Sequence, residues 1–296
     1  MAFEKEEEQA SASGFPPEYT APSDQLKAGN HDSDNYAETK HYAKGAKITN
    51  WIGRNVSGVT IGLIQLRARL PLVPGNMGNA STFDFPMLYR EMTPDNPYSV
   101  GSLEPEKETN FIEEMVKAAN WLELQGVRAI MANCGFFGNY QRIIQDKIDT
   151  PFFSSSLIQL PTIIQSLPRG KKVGVITANA EVLRACPAIE NCGVSPEDKA
   201  NRVVIDDCGD SAAFGPIVAQ DSNEFDIYAI EEAIVTAAKR LTTDNPDVCT
   251  ILLECTELPP AAHAVQAAVK MPVWDYVTLT KWIHDGCLRR QLTGFV

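Results

Sequence analysis

Short apolar runs recur along the chain, separated by longer stretches in which apolar residues fall three and four apart. Residues 59–66 (VTIGLIQL) predict a buried strand, and a polar, Pro-containing stretch, 70–108, follows it. Residues 109–125 (TNFIEEMVKAANWLELQ) have helical spacing, with Thr109 placed to cap the helix and Gly126 placed to end it. A second strand is expected at 127–132. The pattern then starts again. It gives a strand at 173–177, a helix from Asn179, a short strand at 202–206 and an amphipathic helix over 225–241. A strand at 248–253, a helix over 260–269, a short strand at 273–274 and a terminal helix over 276–288 complete it. Strands that alternate with helices, each apolar along most of its length, imply parallel sheets covered on both faces.

The two halves match one another. Val127, Ile130, Cys134 and Pro151 stand 121 residues before Val248, Ile251, Cys255 and Pro272. The opening strands agree at an offset of 112, Ile61-Gly62-Leu63-Ile64 against Val173-Gly174-Val175-Ile176. A few matched apolar positions arise by chance. The same order of strand, helix, strand, Cys, helix, Pro and strand in both halves points to internal duplication. The expected fold class is therefore α/β: two pseudo-symmetric lobes, each a parallel sheet flanked by helices, with the active-site cleft between them. The expected boundaries are a flexible N-terminal extension, 1–55, a first lobe, 56–170, completed by the C-terminal segment 271–296, and a second lobe, 171–270.

Composition narrows the function classes. With 26 basic and 38 acidic side chains the formal net charge is −12, and a chain this acidic repels phosphate, so no nucleic-acid partner is expected. Residues 1–50 hold five Lys/Arg and nine Asp/Glu, and the run Glu4, Glu6, Glu7 and Glu8 reads as a solvated terminus. No apolar stretch approaches the roughly 18–20 residues that cross a bilayer, so no membrane partner is expected. The acidic N-terminus lacks the apolar core of a secretory signal. The cytoplasm is the expected location, and homo-oligomeric assembly is compatible with the sequence.

Seven cysteines in such a chain argue against a disulfide framework. None forms a C-x-x-C pair, and the four histidines have no metal-type spacing with them, so no metal is expected. Cys134 and Cys255 stand apart. Each follows its strand with one residue between, and each opens a turn and a helix, CGFFGNYQ and CTELPPAAH. Ligands bind outside the carboxyl ends of strands in open parallel sheets. A thiol at a helix start meets free amides and the positive dipole end, which favours the thiolate. Two lobes related by a twofold axis place the thiols on opposite walls of one cleft. One then removes a proton from a carbon and the other returns a proton to its opposite face. The other five cysteines are assigned to packing.

At 251–259 (ILLECTELP) and 130–136 (IMANCGF) the chain resembles the aspartate/glutamate/hydantoin racemase superfamily, with VGVIT at 173–177 a weaker match. The resemblance covers roughly residues 58–290. It implies a cofactor-independent racemase or epimerase, an isomerase acting on a small carboxylate compound such as an amino acid or derivative. Cys134 and Cys255 would be its acid/base pair. The superfamily also includes a cis–trans isomerase of an unsaturated diacid and a decarboxylase of malonates. Those reactions, and small-acid binding without turnover, stand as alternatives. Two departures bear on the substrate. Cys134-Gly135-Phe136 stands where many amino-acid racemases of the group read C-N-T, and Glu254 precedes the second cysteine where a small residue is usual.

The remaining candidates would bind the substrate carboxylate. Asn133 and Gly135 flank the first thiol, and Thr256 takes the place of Gly135 in the second lobe. Thr177 ends the first strand of that lobe, and Asn179 opens the helical stretch after it. Arg67 corresponds to Asn179 at the offset of 112 and is placed to clamp a carboxylate bidentately. Glu257 is expected to be structural. The run at 74–80 (PGNMGNA) neither follows a strand directly nor opens a helix, so no nucleotide site is expected there.

Overall fold

The computed structural model describes residues 58–67, 70–92, 105–219 and 224–289; the expected 1–55 extension lies outside them. Two four-stranded parallel sheets carry the fold. The first has the order β2-β1-β3-β4, from β1 (Ile61–Leu66), β2 (Met87–Met92), β3 (Ala129–Ala132) and β4 (Phe152–Phe153). The second repeats it as β6-β5-β7-β8, from β5 (Lys172–Thr177), β6 (Val203–Asp207), β7 (Val248–Leu253) and β8 (Val273–Trp274). This is the α/β architecture of two pseudo-symmetric lobes that the duplicated pattern predicts. No described helix is long and apolar enough to cross a membrane.

The offsets read from the sequence are structural equivalences. Ile61 of β1 lies opposite Ala129 of β3, and Val173 of β5 opposite Thr250 of β7. The Ile130 amide donates to the Pro151 carbonyl at 2.9 Å, as the Ile251 amide does to Pro272 at 2.9 Å. Each lobe also packs one long helix tightly on its opening strand. In the first lobe this is the helix Pro105–Leu124. A β-carbon on Gly62 would come within 2.8 Å of the Leu122 side chain. In the second lobe it is Ile227–Asp244, and Gly174 stands in the same relation to Leu241. Glycine at these two positions lets helix and sheet close to contact. Asp226 holds the start of the second of these helices by accepting from the amides of Tyr228 and Ala229.

The strands are apolar on both faces because both faces are covered. In β1, Ile64 and Leu66 pack with Phe111, Met115 and Leu122, whereas Ile61 and Leu63 point the other way. There they meet Met77, Met131 and three residues of the C-terminal helix Tyr276–Cys287: Tyr276, Leu279 and Ile283. Asp275 starts that helix with a capping box, accepting from the Thr278 amide at 2.8 Å while its own amide donates to the Thr278 hydroxyl at 2.9 Å. β2 falls inside the stretch read as polar. It is an edge strand whose Arg90 and Glu91 are exposed, so it lacks the unbroken apolar run that marks the inner strands.

Candidate functional site

Both lobes build the same turn at the carboxyl end of their third strand. Asn133 and Glu254 occupy equivalent positions, one residue past β3 and β7. The Asn133 amide donates to the Ile64 carbonyl at 3.1 Å, and the Glu254 amide to Ile176 at 2.8 Å. Beyond each thiol, the Phe137 amide returns to the Cys134 carbonyl at 3.0 Å and the Leu258 amide to Cys255 at 3.2 Å. A 3-10 helix, Gly135–Tyr140, follows Cys134 where a full helix is expected, and another, Pro259–Ala261, precedes the helix Ala262–Val269.

The two cysteine turns touch. The Thr256 hydroxyl lies 3.1 Å from the Asn133 carbonyl oxygen. The Glu254 carboxyl packs flat against Gly135, so closely that a β-carbon on Gly135 would overlap it. Directly after β4, Ser154, Ser155 and Ser156 are fully buried, and the Ser156 hydroxyl lies 3.1 Å from the carbonyls of both Leu253 and Glu254. The seam between the lobes is therefore polar, and the thiols sit in it, each partly exposed.

The electrostatics of the seam differ from the sequence expectation. The Cys255 thiol donates to Glu257 Oε2 at 2.8 Å. Thr256 Oγ1 is 3.0 Å from the same oxygen and has one proton to give, either there or to Asn133. Burial pushes both thiols well above the ordinary cysteine range. Glu254 adds to this at Cys134, ahead of Glu257, and Glu257 adds to it at Cys255, ahead of Glu254. The amides of Phe136 and Phe137 pull Cys134 the other way but are outweighed. The thiols are thus held as thiols, not as the thiolates expected of a helix start, because two carboxylates and desolvation oppose a single turn of amides.

Glu254 is the unexpected member. It is 1% exposed. Its Oε2 accepts from the Thr177 hydroxyl at 2.7 Å, and its Oε1 has no hydrogen-bond partner. Burial pushes its carboxyl up to about 7, with Thr177 opposing and Glu257 adding. Among the described residues no Lys or Arg forms an ion pair with Glu254 or Glu257. Beside Glu257 opens an apolar pocket lined by Leu70, Pro71, Val73, Ile217 and Ile230.

Other sequence candidates are engaged elsewhere. Asn133 Oδ1 accepts from the Leu66 amide at 2.8 Å, inside its own lobe. Asn179 caps the helix Ala180–Ala185, accepting from Val182 at 2.9 Å. Arg67 is exposed and pairs with Glu91 at 2.8 Å, so its guanidinium already has a carboxylate of its own. Gly135, Thr177 and Thr256 all lie in the seam. From the sequence, Glu254 stands only as a departure from the family pattern and Glu257 as a structural residue. The offset of 121 adds a signal for burial, since it equates Glu254 with the buried Asn133.

No family model matches the chain. Among curated proteins, dimethylsulfoniopropionate lyase 7 of Emiliania huxleyi (strain CCMP1516) is 33% identical over 227 residues, covering 74% of this chain and 64% of that protein. Dimethylsulfoniopropionate lyase 3 of the same strain is also 33% identical, with 57% of its length covered. The chain thus spans about three-fifths of these relatives. The dimethylsulfoniopropionate lyase of Durusdinium sp. clade D is 28% identical over 78% of this chain and 76% of its own. Among solved structures, glutamate racemase RacE1 from Bacillus anthracis superposes with a TM-score of 0.52 at 18% identity, over 78% of this chain and 84% of that one. Unliganded arylmalonate decarboxylase gives 0.50 at 18%, over 76% and 90%. The relatives overturn the racemase or epimerase expectation and with it the isomerase class, because they are lyases. The same-fold alternatives that do not racemise agree with them better, and one fold hosts several reactions. At 18% identity these two structures show the fold alone, and the chain shares that fold with a glutamate racemase and an arylmalonate decarboxylase.

Proposed function

We propose that the chain is a lyase that splits dimethylsulfoniopropionate, a propionate with a dimethylsulfonium group on C3, into dimethyl sulfide and acrylate. The names of the relatives support the substrate. The observation that carries the chemistry is the Cys255–Glu257 pair, a thiol whose proton has a carboxylate waiting for it at 2.8 Å. The positive sulfonium group of the bound substrate offsets the two carboxylates that hold Cys255 protonated, and Glu257 takes the thiol proton. The Cys255 thiolate then removes a proton from C2, the C–H electrons form the C2–C3 double bond, and the C3–S bond breaks. Both electrons of that bond leave on sulfur as neutral dimethyl sulfide.

An elimination needs one base and returns no proton to carbon. Cys134 is therefore assigned to the opposite wall of the site rather than to an obligatory acid role. The apolar pocket beside Glu257 suits the two methyl groups, and the Thr256 hydroxyl, free to rotate between acceptors, suits the substrate carboxylate. We place the protein in the cytoplasm, a reading supported by its seven free thiols, which a reducing compartment preserves.

The test is headspace gas chromatography of the purified protein with millimolar dimethylsulfoniopropionate. Release of dimethyl sulfide that disappears in Cys255→Ala, and slows when C2 carries deuterium, is the expected result. No release by the wild type sinks the proposal.

A further inference from the structure

The carboxyl of Glu254 is buried, has one oxygen without a partner, and faces the turn of Cys134 across the lobe seam. Its charge acts on both thiols. A second carboxylate, Glu257, lies on the other side of Cys255, and no described Lys or Arg pairs with either. A buried negative charge with no protein counter-ion is costly unless something positive completes it or a proton neutralises it. We infer that Glu254 is a specificity-determining residue that selects carboxylates bearing a positively charged onium group, with the bound cation completing the seam. The inference rests on the lyase reading for the carbon skeleton, and it goes further by naming the residue that reads the charge. The uncompensated seam also rejects dicarboxylates, which bring a second negative charge into it.

The site's departure from the racemase pattern then has a physical meaning. A small residue before the second cysteine would put no carboxylate over Gly135 and leave Glu257 as the one acid beside the second thiol. Glu254, placed there, fills the space over Gly135 and adds a second carboxylate to the seam. The titratable groups facing it are Glu257, Cys134, Cys255, Cys186, Cys192 and Tyr276. The four thiols and the phenol are all pushed up and stay neutral near pH 7, and as groups that ionise only to anions they cannot offset the charge of Glu254.

Two probes of equal shape isolate the onium charge: 3-(trimethylammonio)propanoate and its isostere 4,4-dimethylpentanoate, whose tert-butyl end carries no charge. Their affinities are measured by calorimetry at pH 6 and pH 8. The wild type is expected to bind the cation about tenfold more tightly or better at pH 8, the order expected of one charge pair in a partly screened site. The preference should be smaller at pH 6, where Glu254 is more protonated. Glu254→Gln keeps the shape and the acceptor for Thr177, and should bring the two probes within about threefold. Thr177→Val removes the hydroxyl that favours ionised Glu254, so the preference should persist but emerge at higher pH. Equal binding of the probes by the wild type overturns the inference, as does an unchanged preference in a folded Glu254→Gln. Charge preference without dimethyl sulfide release would sink the lyase reading alone. Release without charge preference would sink the inference alone.

Discussion

Replacing Glu254 by Gln should make the protein more stable than the wild type, and the advantage should grow with pH. The carboxyl rises from an ordinary 4.5 to about 7 because it is buried without a counter-ion. A folded state that holds a proton more tightly than the unfolded chain is favoured at low pH. That stability is fully present below pH 4.5 and is lost as pH climbs through about 7. At about 1.36 kcal/mol per pH unit, the loss between pH 5.5 and the folded value of about 7 comes to about 2 kcal/mol. Glutamine has no charge to bury and keeps an acceptor for Thr177. Urea denaturation of both proteins at pH 5.5 and pH 8 measures the effect, and other titrating groups cancel in the difference. The Gln variant should gain about 2 kcal/mol on the wild type between the two pH values. A stability difference that stays constant across this range would refute the assignment of Glu254 as an uncompensated buried acid.

Three further outcomes are expected. Glu257→Gln removes the acceptor for the Cys255 proton, so dimethyl sulfide release should fall by about a hundredfold or more with little change in melting temperature; activity within threefold of wild type argues against the thiol–carboxylate pair. Glu254→Gln also removes a charge that holds both thiols protonated, so iodoacetamide should label Cys134 and Cys255 about three- to tenfold faster at pH 8, read by peptide mass spectrometry, and unaltered labelling contradicts the electrostatic account. Gly135→Ala drives a methyl into the Glu254 carboxyl and should cost about 1–3 kcal/mol by denaturation; in a Glu254→Ala background that cost should largely vanish, and a cost that is additive in the double variant shows that the two residues do not meet.

The fold was legible because its signals are local and doubled. Gly62 and Gly174 mark where a helix leucine presses on each opening strand, and Cys134 and Cys255 mark the same turn in each lobe. β2 escaped notice because an edge strand with Arg90 and Glu91 outward has no apolar run to read. The candidate site is a different matter. Position along the strand places the thiols but says nothing of the groups that face them across the seam. The direction of the Glu254 carboxyl depends on Gly135, which lies 119 residues earlier in the chain. Arg67 and Asn179 had suitable chemistry, but nearer partners, Glu91 and the Val182 amide, take them first. The reaction was illegible for another reason. Abstracting a proton beside a carboxylate is common to racemisation and elimination, and the fate of the resulting carbanion depends on the substrate's leaving group rather than on the thiols.

The C-terminal helix has a consequence for how the protein is made. Tyr276, Leu279 and Ile283 cover Ile61 and Leu63, so one face of the first sheet waits for residues translated more than 200 positions later. At about 5–20 residues per second, a ribosome leaves that face bare for roughly 10–40 s. During that interval only earlier residues of the same cluster, such as Met77 and Phe83, can shield Ile61 and Leu63. The first lobe therefore completes its core only when the last residues of the chain have been made, and a chain cut before Tyr276 would keep that face of the sheet open.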